Sequence, residues 1–299
     1  MYDIIIIGAG TAGLTAAIYA CRAGKKVLVL EGKSYGGQII NTPDIENYPA
    51  EPHISGFDFA TKLFEQAKAL GAETVFRRVT GIRDEGGTKT VITRRQEYAC
   101  KAVIIATGSE TRKLGLPNEE ELVGRGVSYC ATCDGNFFAG KTVAVVGGGN
   151  TALEDALYLS DIANKVYLIH RRDSFRGENA AVEKIRSKAN VELVLNSKVT
   201  GIIAEERVKA IEVTGNSGKT EEIAVNGLFV AVGRVPDNSA FSPPVTLDEA
   251  GYIPAGEDCR TNVPGIFAAG DVRAKALRQL VTAASDGAIA AFGAINYIS

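Results

Sequence analysis

The chain has 299 residues, of which 45% are hydrophobic and 23% are charged, and its formal net charge is −2. At roughly 150 residues per domain, this length predicts two domains, each large enough to bury a core of its own. The near-neutral balance is atypical of nucleic-acid-binding proteins, which usually carry a basic surface. No apolar run reaches the ~20 residues of a membrane-spanning helix. The first strand-like run begins at residue 4, so we expect no signal peptide and no membrane anchor but a soluble, cytoplasmic protein.

The first predicted element is a short buried strand. Residues 4–7 form a continuous β-branched run without polar alternation, which is typical of a central parallel strand. A glycine turn at 8–13 and a helix-favouring stretch at 14–22 follow. Residues 26–30 predict a second buried strand, which ends at Glu31. This order is that of a complete βαβ unit.

The same pattern returns near the middle of the chain. A strand at 143–146, a glycine turn at 147–152 and a helix at 153–159 repeat it, and the next strand follows at 166–169. The chain therefore carries two nucleotide-binding units built on one plan.

We predict an α/β fold of two Rossmann-like three-layer domains, the second inserted into the first. The last apolar strand, followed by a long helix at about 277–297, has no glycine turn of its own, so we assign it to the first domain. The predicted domains are 1–112 with 241–299, and 113–240, which carries a cysteine pair. The chain would cross between them near 111–116 and 236–241, both turn-forming stretches.

The first glycine turn fits the G-x-G-x-x-G pattern between a strand and a helix. Gly8 permits the tight turn, Gly10 lets a pyrophosphate approach the backbone, and Gly13 lets the helix pack on the strand. Glu31 lies about 20 residues after Gly10, where a carboxylate accepts hydrogen bonds from ribose hydroxyls. The alternative for Glu31 is a solvated strand end. This acidic site suits the ADP half of FAD.

The second glycine turn contains Gly147, Gly149 and Ala152, and a basic run follows the next strand. His170 stands about 20 residues after Gly149, in the position where Glu31 follows the first turn. It begins a run that contains three arginines, Arg171, Arg172 and Arg176. Guanidinium groups bind a 2′-phosphate through charge-assisted bonds, whereas a carboxylate would repel it. The run therefore favours NADPH over NADH, with a solvated basic face as the alternative.

Cys130 and Cys133 form the only closely spaced cysteine pair. Structural zinc needs four ligands and no second C-x-x-C is present, so a metal site is disfavoured, as is an inert thiol pair. A redox-active disulfide is the favoured interpretation. Asp134 follows directly, and a carboxyl with a pKa raised by burial could protonate a departing thiolate. The alternative is that Asp134 caps a helix that begins near Gly135.

These residues together resemble the low-molecular-weight, bacterial-type thioredoxin reductases, over essentially the whole chain. The discriminating strings are C-A-T-C-D-G at 130–135 and H-R-R-x-x-x-R at 170–176. The glycine turns alone would fit any flavoprotein that binds two dinucleotides. The resemblance implies a homodimer that passes electrons from NADPH through FAD to thioredoxin. FAD would be bound by 1–112 with 241–299, and NADPH by 113–240. The resemblance also implies rotation of one domain against the other, with a hinge at the crossings near 111–116 and 236–241.

The resemblance and the motifs together name the site residues. For FAD these are Gly8, Gly10, Thr11, Ala12, Gly13, Glu31, Gly36, Gly37, Gln38, Asn47, Ala106, Thr107, Gly108, Gly270, Asp271, Arg278, Gln279 and Leu280. For NADPH they are Gly147, Gly149, Asn150, Thr151, Ala152, His170, Arg171, Arg172 and Arg176. The resemblance further implies that Cys133 faces the flavin, that Cys130 attacks the substrate disulfide, and that Asp134 is the acid/base.

Other functions remain open at this point. A dithiol oxidase or another disulfide reductase would keep FAD and the C-x-x-C pair but pass electrons to a different acceptor. Ferredoxin-dependent relatives lack the basic run, so residues 170–172 argue against that class. A redox-sensing or NADPH-binding module without catalysis would not need both phosphate turns together with the cysteines and Asp134.

Overall fold

The computed structural model describes residues 1–42 and 44–299. The chain divides into two compact units: unit 1 is Met1–Glu110 with Val235–Ser299, and unit 2 is Thr111–Arg234. Unit 2 is therefore an insertion into unit 1. Unit 2 begins at 111 and ends at 234, whereas the predicted domain covers 113–240. Asn238 belongs to unit 1, where its side chain donates to the carbonyl oxygens of Gly251 and Val272.

Unit 1 begins with alternating strands and helices and continues with consecutive strands. In chain order they are β1 (Tyr2–Ile7), α1 (Thr11–Arg22), β2 (Val27–Glu31), α2 (Gly56–Ala69), β3 (Glu73–Phe76), β4 (Val79–Asp84), β5 (Lys89–Thr93), β6 (Glu97–Ile105) and β7 (Glu110–Thr111). A short 3₁₀ helix, Gly37–Asn41, lies between β2 and α2.

Unit 2 follows with its own strands and helices. These are β8 (Val127–Ser128), α3 (Ala131–Asp134), β9 (Thr142–Val146), α4 (Asn150–Ile162), β10 (Lys165–Ile169), α5 (Asn179–Arg186), β11 (Val191–Val194), β12 (Ser197–Ala204), β13 (Val208–Gly215), β14 (Thr220–Ala224) and β15 (Gly227–Val230). The chain returns through β16 (Arg234–Val235), β17 (Ile266–Ala268) and α6 (Leu280–Tyr297), which complete unit 1. The short strands β7 and β16 pair with each other.

Unit 1 is built on a sheet with the order β3-β2-β1-β6-β5-β4, and β17 also pairs with β6. The pairs β3-β2, β2-β1, β1-β6 and β6-β17 are parallel, whereas β4 and β5 form an antiparallel extension. Residues 4–7 of β1 are almost fully buried because both faces of this strand are covered. Helices α1 and α6 pack together on one face through small residues: a Cβ on Gly287 would lie 2.2 Å from the Ala12 carbonyl oxygen.

Unit 2 has a parallel sheet of order β11-β10-β9-β15-β8. Helix α4 covers one face, and the antiparallel sheet β12-β13-β14 covers the other through a second apolar cluster. Strands β1 and β9, which precede the two glycine turns, are thus both central strands paired on either side. The predicted α/β class is confirmed. No helix in the described ranges is long and apolar enough to span a membrane.

Candidate active site

The first glycine turn connects β1 to α1 and is shaped by backbone packing. Gly8 has φ +108°, and a Cβ there would lie 2.4 Å from the Ala106 carbonyl oxygen at the end of β6. A Cβ on Gly13 would lie 1.9 Å from the carbonyl oxygen of Gly8 itself. Helix α1 begins at Gly10 without a side-chain cap, so its first N–H groups are available to a ligand. A phosphate at this position would be bound by those N–H groups and by the helix dipole.

Glu31 lies beside this turn, at the end of β2. Its Oε2 accepts a hydrogen bond of 2.8 Å from the Ala9 N–H, and its Oε1 accepts one of 2.7 Å from the Lys33 N–H. Gly36 lies alongside as well, since its N–H donates to the Ala9 carbonyl oxygen at 2.7 Å and it forms a parallel bridge with Gly10. The structure therefore brings Glu31, Gly36 and the first glycine turn to one edge of the sheet.

Two predicted residues that are far apart in the chain are in contact. The Asn47 side chain donates to Gln279 Oε1 at 3.2 Å. Gln279 begins α6 with a capping box that it forms with Thr282. Leu280 packs on the small apolar cluster of Ile45, Ile54 and Phe59. The Arg278 guanidinium lies 4.3 Å from the centre of the Tyr252 ring.

Gly270 and Asp271 lie in a 3₁₀ turn that follows β17. A buried ion cluster supports this turn: Asp286 accepts from the Gly270 N–H at 3.0 Å, from Arg273 at 2.8 and 2.9 Å, and from Lys275 at 2.7 Å. Burial raises the pKa of Asp286, but the hydrogen bonds from Arg273 and Lys275 outweigh it and leave this pKa below its ordinary value. Sequence reasoning did not identify this cluster.

Asp286→Asn is expected to destabilise unit 1. It removes one charge of a buried cluster and leaves two cations uncompensated, which costs about 3 kcal/mol in the free energy of unfolding. Urea unfolding of the protein, followed by circular dichroism, measures this loss. The matched control is Glu97→Gln, which breaks the surface ion pair with Arg83 and is expected to change the stability far less, because solvent screens an exposed pair. Equal losses in both variants would contradict a supporting role for Asp286.

The second glycine turn connects β9 to α4 and repeats the first. A Cβ on Gly147 would lie 2.3 Å from the Ala231 carbonyl oxygen, which follows β15. This matches Gly8, where a Cβ would lie 2.4 Å from the Ala106 carbonyl oxygen. Helix α4 begins at Gly149 without a side-chain cap, and a Cβ on Gly149 would meet nothing within 4 Å. The backbone therefore leaves room for a pyrophosphate at the N-terminus of α4.

The basic run folds back onto this turn. The Arg176 N–H donates to the Gly148 carbonyl oxygen at 2.7 Å, and Asn150 Oδ1 accepts from the Glu178 N–H at 2.8 Å. The three arginines at 171, 172 and 176 are exposed, and within the described part of the chain none of them forms an ion pair. Unpaired guanidinium groups beside an uncapped helix N-terminus suit a phosphate-bearing ligand.

His170 has a different position from that of the arginines. Its ring is 5% exposed, stacks on Phe175 at 5.4 Å, and lies directly under the turn, where a Cβ on Gly148 would come within 2.1 Å of it. Burial lowers the pKa of His170, and the neighbouring arginines lower it further, so the ring is neutral at pH 7. His170 therefore supports the glycine turn from below.

Gly149→Ala is expected to raise KM for NADPH about tenfold, equivalent to ~1.4 kcal/mol, because the added methyl group occupies the space through which a pyrophosphate reaches the backbone. The melting temperature should not change, since that methyl group meets no protein atom. Steady-state kinetics and thermal unfolding measure both quantities. Gly148→Ala is the contrasting variant: its methyl group collides with His170, so it should lower the melting temperature. An unchanged KM in Gly149→Ala would contradict a phosphate site at this turn.

Cys130 and Cys133 are joined by a disulfide, as predicted, with their Cα atoms 5.3 Å apart. Cys130 is the N-cap residue of the single-turn helix α3, which contains Cys133 and Asp134. The helix packs against α4, since a Cβ on Gly135 would lie 2.8 Å from the Tyr158 ring. The redox-active pair is thus anchored within unit 2.

Asp134 does not cap the following helix, which was the alternative for this residue. Its Oδ2 accepts a hydrogen bond of 2.7 Å from the hydroxyl of Ser128. Its Oδ1 is buried and has no hydrogen-bond partner among the described residues. Burial raises the pKa of the Asp134 carboxyl, and the Ser128 hydrogen bond lowers it in part. A buried carboxyl with a raised pKa keeps its proton to a higher pH than an ordinary aspartic acid, which suits a proton donor.

Glu119 holds the segment in front of the cysteines. It is 2% exposed and accepts hydrogen bonds from the backbone N–H groups of residues 114–116 and from the Tyr129 hydroxyl, the last at 2.9 Å. Neither Glu119 nor Ser128 was predicted, because no motif or spacing distinguishes them from ordinary polar residues.

One surface cluster could hold a cation. Ligand atoms of Asp44, Glu46 and His53 lie within 4.8 Å of one another, and His53 Nδ1 is 2.9 Å from Asp44 Oδ2. That hydrogen bond raises the pKa of His53. Glu46 and His53 are exposed. The ion pair between Asp44 and His53 accounts for the arrangement without a metal.

The chain has an α/β fold with two glycine turns, one accompanied by a carboxylate and the other by a basic run. Its disulfide lies beside a buried carboxyl. Together these features define a disulfide oxidoreductase that uses dinucleotides. The chain matches the family described as pyridine nucleotide-disulphide oxidoreductase over residues 2–287, and it belongs to that family.

Relatives within this family include bacterial thioredoxin reductases. The chain is 44% identical to the thioredoxin reductase of Treponema pallidum, over 99% of this chain and 97% of that protein. It is 45% identical to the thioredoxin reductase of Listeria innocua, over 100% and 94%. The crystal structure of thioredoxin reductase from Streptococcus pyogenes has a TM-score of 0.94 at 42% identity and covers 99% of this chain and 98% of that chain. These comparisons confirm the predicted family, and thioredoxin reductases of this family use FAD and NADPH, as predicted.

Proposed function

We propose that this chain reduces the disulfide of thioredoxin with electrons from NADPH, carried by bound FAD. The observation that carries the proposal is the Cys130–Cys133 disulfide followed in the same helix by the buried carboxyl of Asp134. The same unit carries the glycine turn with the unpaired arginines. Relatives that are 44% and 45% identical over nearly the full chain are named thioredoxin reductases.

FAD would be bound by unit 1. The turn at Gly8, Gly10 and Gly13 would hold the pyrophosphate, and Glu31 the ribose, since both lie at one edge of the sheet. Asn47 and Gln279, which are hydrogen-bonded to each other, would contact the remainder of the cofactor with the other predicted residues. When bound, FAD supplies a carrier that takes a hydride equivalent from NADPH and passes two electrons to a disulfide.

NADPH would be bound by unit 2. The N–H groups at the start of α4 would hold its pyrophosphate, and Arg171, Arg172 and Arg176 its 2′-phosphate. His170 keeps the glycine turn in place from beneath and is neutral, so it adds no charge to the phosphate site.

The dithiol chemistry is performed by three residues. Two electrons and two protons convert the Cys130–Cys133 disulfide into two thiols. The Cys130 thiolate, having lost its proton to solvent, then attacks one sulfur of oxidised thioredoxin. A new S–S bond forms, the thioredoxin disulfide breaks, and the departing sulfur takes a proton from Asp134.

The second exchange completes the cycle. The Asp134 carboxylate takes the proton of the Cys133 thiol, and the Cys133 thiolate displaces thioredoxin from Cys130. The Cys130–Cys133 disulfide re-forms, and the second thioredoxin sulfur takes a proton from solvent. Overall, two electrons pass from the dithiol to thioredoxin, and Asp134 ends in its original protonated state.

The protein would act as a homodimer in the cytoplasm. Large apolar side chains stand exposed on three helices of unit 1, namely Tyr19 on α1, Phe57 on α2 and Phe292 on α6, which supports burial against a second copy. The buried free thiols of Cys100 and Cys259 are consistent with a reducing compartment. Light scattering coupled to gel filtration measures the mass of the particle.

Anaerobic stopped-flow spectroscopy of the flavin-loaded protein tests the proposed function. NADPH should bleach the flavin absorbance, and oxidised thioredoxin should restore it within the catalytic cycle. Bleaching without recovery by thioredoxin, but with recovery by oxygen, would instead indicate a dithiol oxidase. Bleaching by reduced ferredoxin but not by NADPH would contradict the role of the arginines.

A further inference from the structure

The Ser128 side chain lies between the nucleophilic cysteine and the carboxyl that follows it. It ends β8, is 2% exposed, and pairs through its backbone with Phe229 of β15. Its hydroxyl oxygen accepts a hydrogen bond of 3.1 Å from the Cys130 N–H. The same oxygen is 2.7 Å from Asp134 Oδ2 and 3.2 Å from the Cys130 carbonyl oxygen.

The single hydroxyl proton of Ser128 has two possible acceptors. Of these, Asp134 Oδ2 is closer to the hydroxyl oxygen than the Cys130 carbonyl oxygen is. That carbonyl oxygen already accepts the Asp134 backbone N–H at 3.1 Å, whereas the carboxyl has no other donor in the described chain. The geometry therefore places the Ser128 proton on the bond to Oδ2.

This bond determines where the acid proton of Asp134 resides. A neutral carboxyl group has one O–H, and Oδ2 is already occupied as an acceptor. With Oδ2 engaged by Ser128, Oδ1 is the oxygen left for the acid proton; it is buried and, among the described residues, without a partner. An O–H without a competing acceptor is free to be donated to a sulfur atom, and the Ser128 bond remains to stabilise the carboxylate that is left.

We propose that Ser128 is a positioning residue for thiol–disulfide exchange: its hydroxyl holds Oδ2 of Asp134, so that Oδ1 carries the proton for the departing thioredoxin sulfur. This inference rests on the proposed function. No atom is transferred to or from Ser128 in either exchange step, and the bonds that form and break remain those of the cysteine and thioredoxin sulfurs.

Ser128→Ala removes one hydroxyl group and adds no bulk. We expect thioredoxin-dependent reoxidation of the flavin to slow about tenfold, in proportion to the loss of one hydrogen bond to a charged group. Reduction of the flavin by NADPH should be unchanged, and so should KM for thioredoxin. Ser128→Thr keeps the hydroxyl and should restore the rate. Ser160→Ala is the matched control, because Ser160 is also buried in unit 2 but donates only to a backbone carbonyl oxygen.

A second readout separates control of the proton from general disruption of the Cys130 loop. Alkylation of NADPH-reduced protein by iodoacetamide forms an S–C bond at the Cys130 thiolate and releases iodide, so it requires no acid. Alkylation of Ser128→Ala should therefore proceed at the wild-type rate. If it slows as much as thioredoxin reduction does, Ser128 has only a structural role and the proposal is overturned.

The variants Asp134→Asn and Ser128→Ala/Asp134→Asn complete the test. If Ser128 acts through Asp134, the double variant should be no slower than Asp134→Asn alone. Additive losses would overturn the proposal, as would full activity of Ser128→Ala beside an impaired Asp134→Asn, and both outcomes leave the proposed function intact. If wild-type protein itself fails to reduce thioredoxin, the proposed function is overturned and this inference with it.

Discussion

Cys130→Ser is expected to abolish thioredoxin reduction while the flavin remains reducible by NADPH. The thiolate is the nucleophile of disulfide exchange, and a serine hydroxyl is neither ionised near neutral pH nor able to form the mixed disulfide. Removal of a covalent nucleophile should lower kcat by roughly a thousandfold or more. The measurement is NADPH oxidation coupled to thioredoxin, together with anaerobic bleaching of the flavin by NADPH alone.

A second cysteine variant shows that the effect belongs to the redox pair. Cys21 is a half-buried free thiol on α1 of unit 1, and burial raises its pKa, so it is a poor nucleophile. Cys21→Ser should keep full activity. If Cys130→Ser still reduced thioredoxin at more than about one per cent of the wild-type rate, Cys130 would not be the attacking sulfur.

Local motifs predicted the elements that bind phosphate. The strand–turn–helix order around Gly8 and Gly147 depends on short-range sequence, because apolar runs fix the strands and the glycines fix the turns. Both turns are found where the sequence placed them, and Glu31 hydrogen-bonds to the first of them. The Cys130–Cys133 disulfide follows in the same way from a spacing within one helical turn.

The residues that support the site could not be predicted in this way. Asp286 and Arg273 lie on different elements, and the Gly270 turn that they stabilise depends on how α6 packs in unit 1. Ser128 and Glu119 look like surface residues in the sequence, yet each is 2% exposed. Their partners are set by tertiary packing, for which a single sequence offers no periodic signal.

His170 shows how a motif can place a residue correctly and still leave its role open. The sequence grouped it with the arginines of the basic run, and it does follow β10. The backbone then directs its ring under Gly148, while the arginines remain exposed. Whether a side chain faces ligand or core depends on the path of the strand end, which spacing alone does not specify.

Replacing Arg171 and Arg172 together with alanine is expected to raise KM for NADPH by roughly a thousandfold. Both guanidinium groups are exposed beside the second glycine turn and, within the described residues, form no ion pair that competes with a phosphate. A charge-assisted hydrogen bond contributes about 1.5–3 kcal/mol, so the loss of two such groups removes about 4 kcal/mol. Steady-state kinetics with NADPH measures this change.

NADH serves as the internal control for the same double variant. It lacks the 2′-phosphate, so it gains nothing from the arginines, and its KM should stay at the wild-type value; the preference for NADPH should therefore disappear. Arg186→Ala is the matched surface control, since Arg186 is an exposed arginine of unit 2 that pairs with Glu183 on α5. An equal rise in KM for NADPH and NADH would mean that the arginines stabilise the turn and not the phosphate. The two nucleotides separate these roles because they differ only in the group that the basic run is proposed to bind.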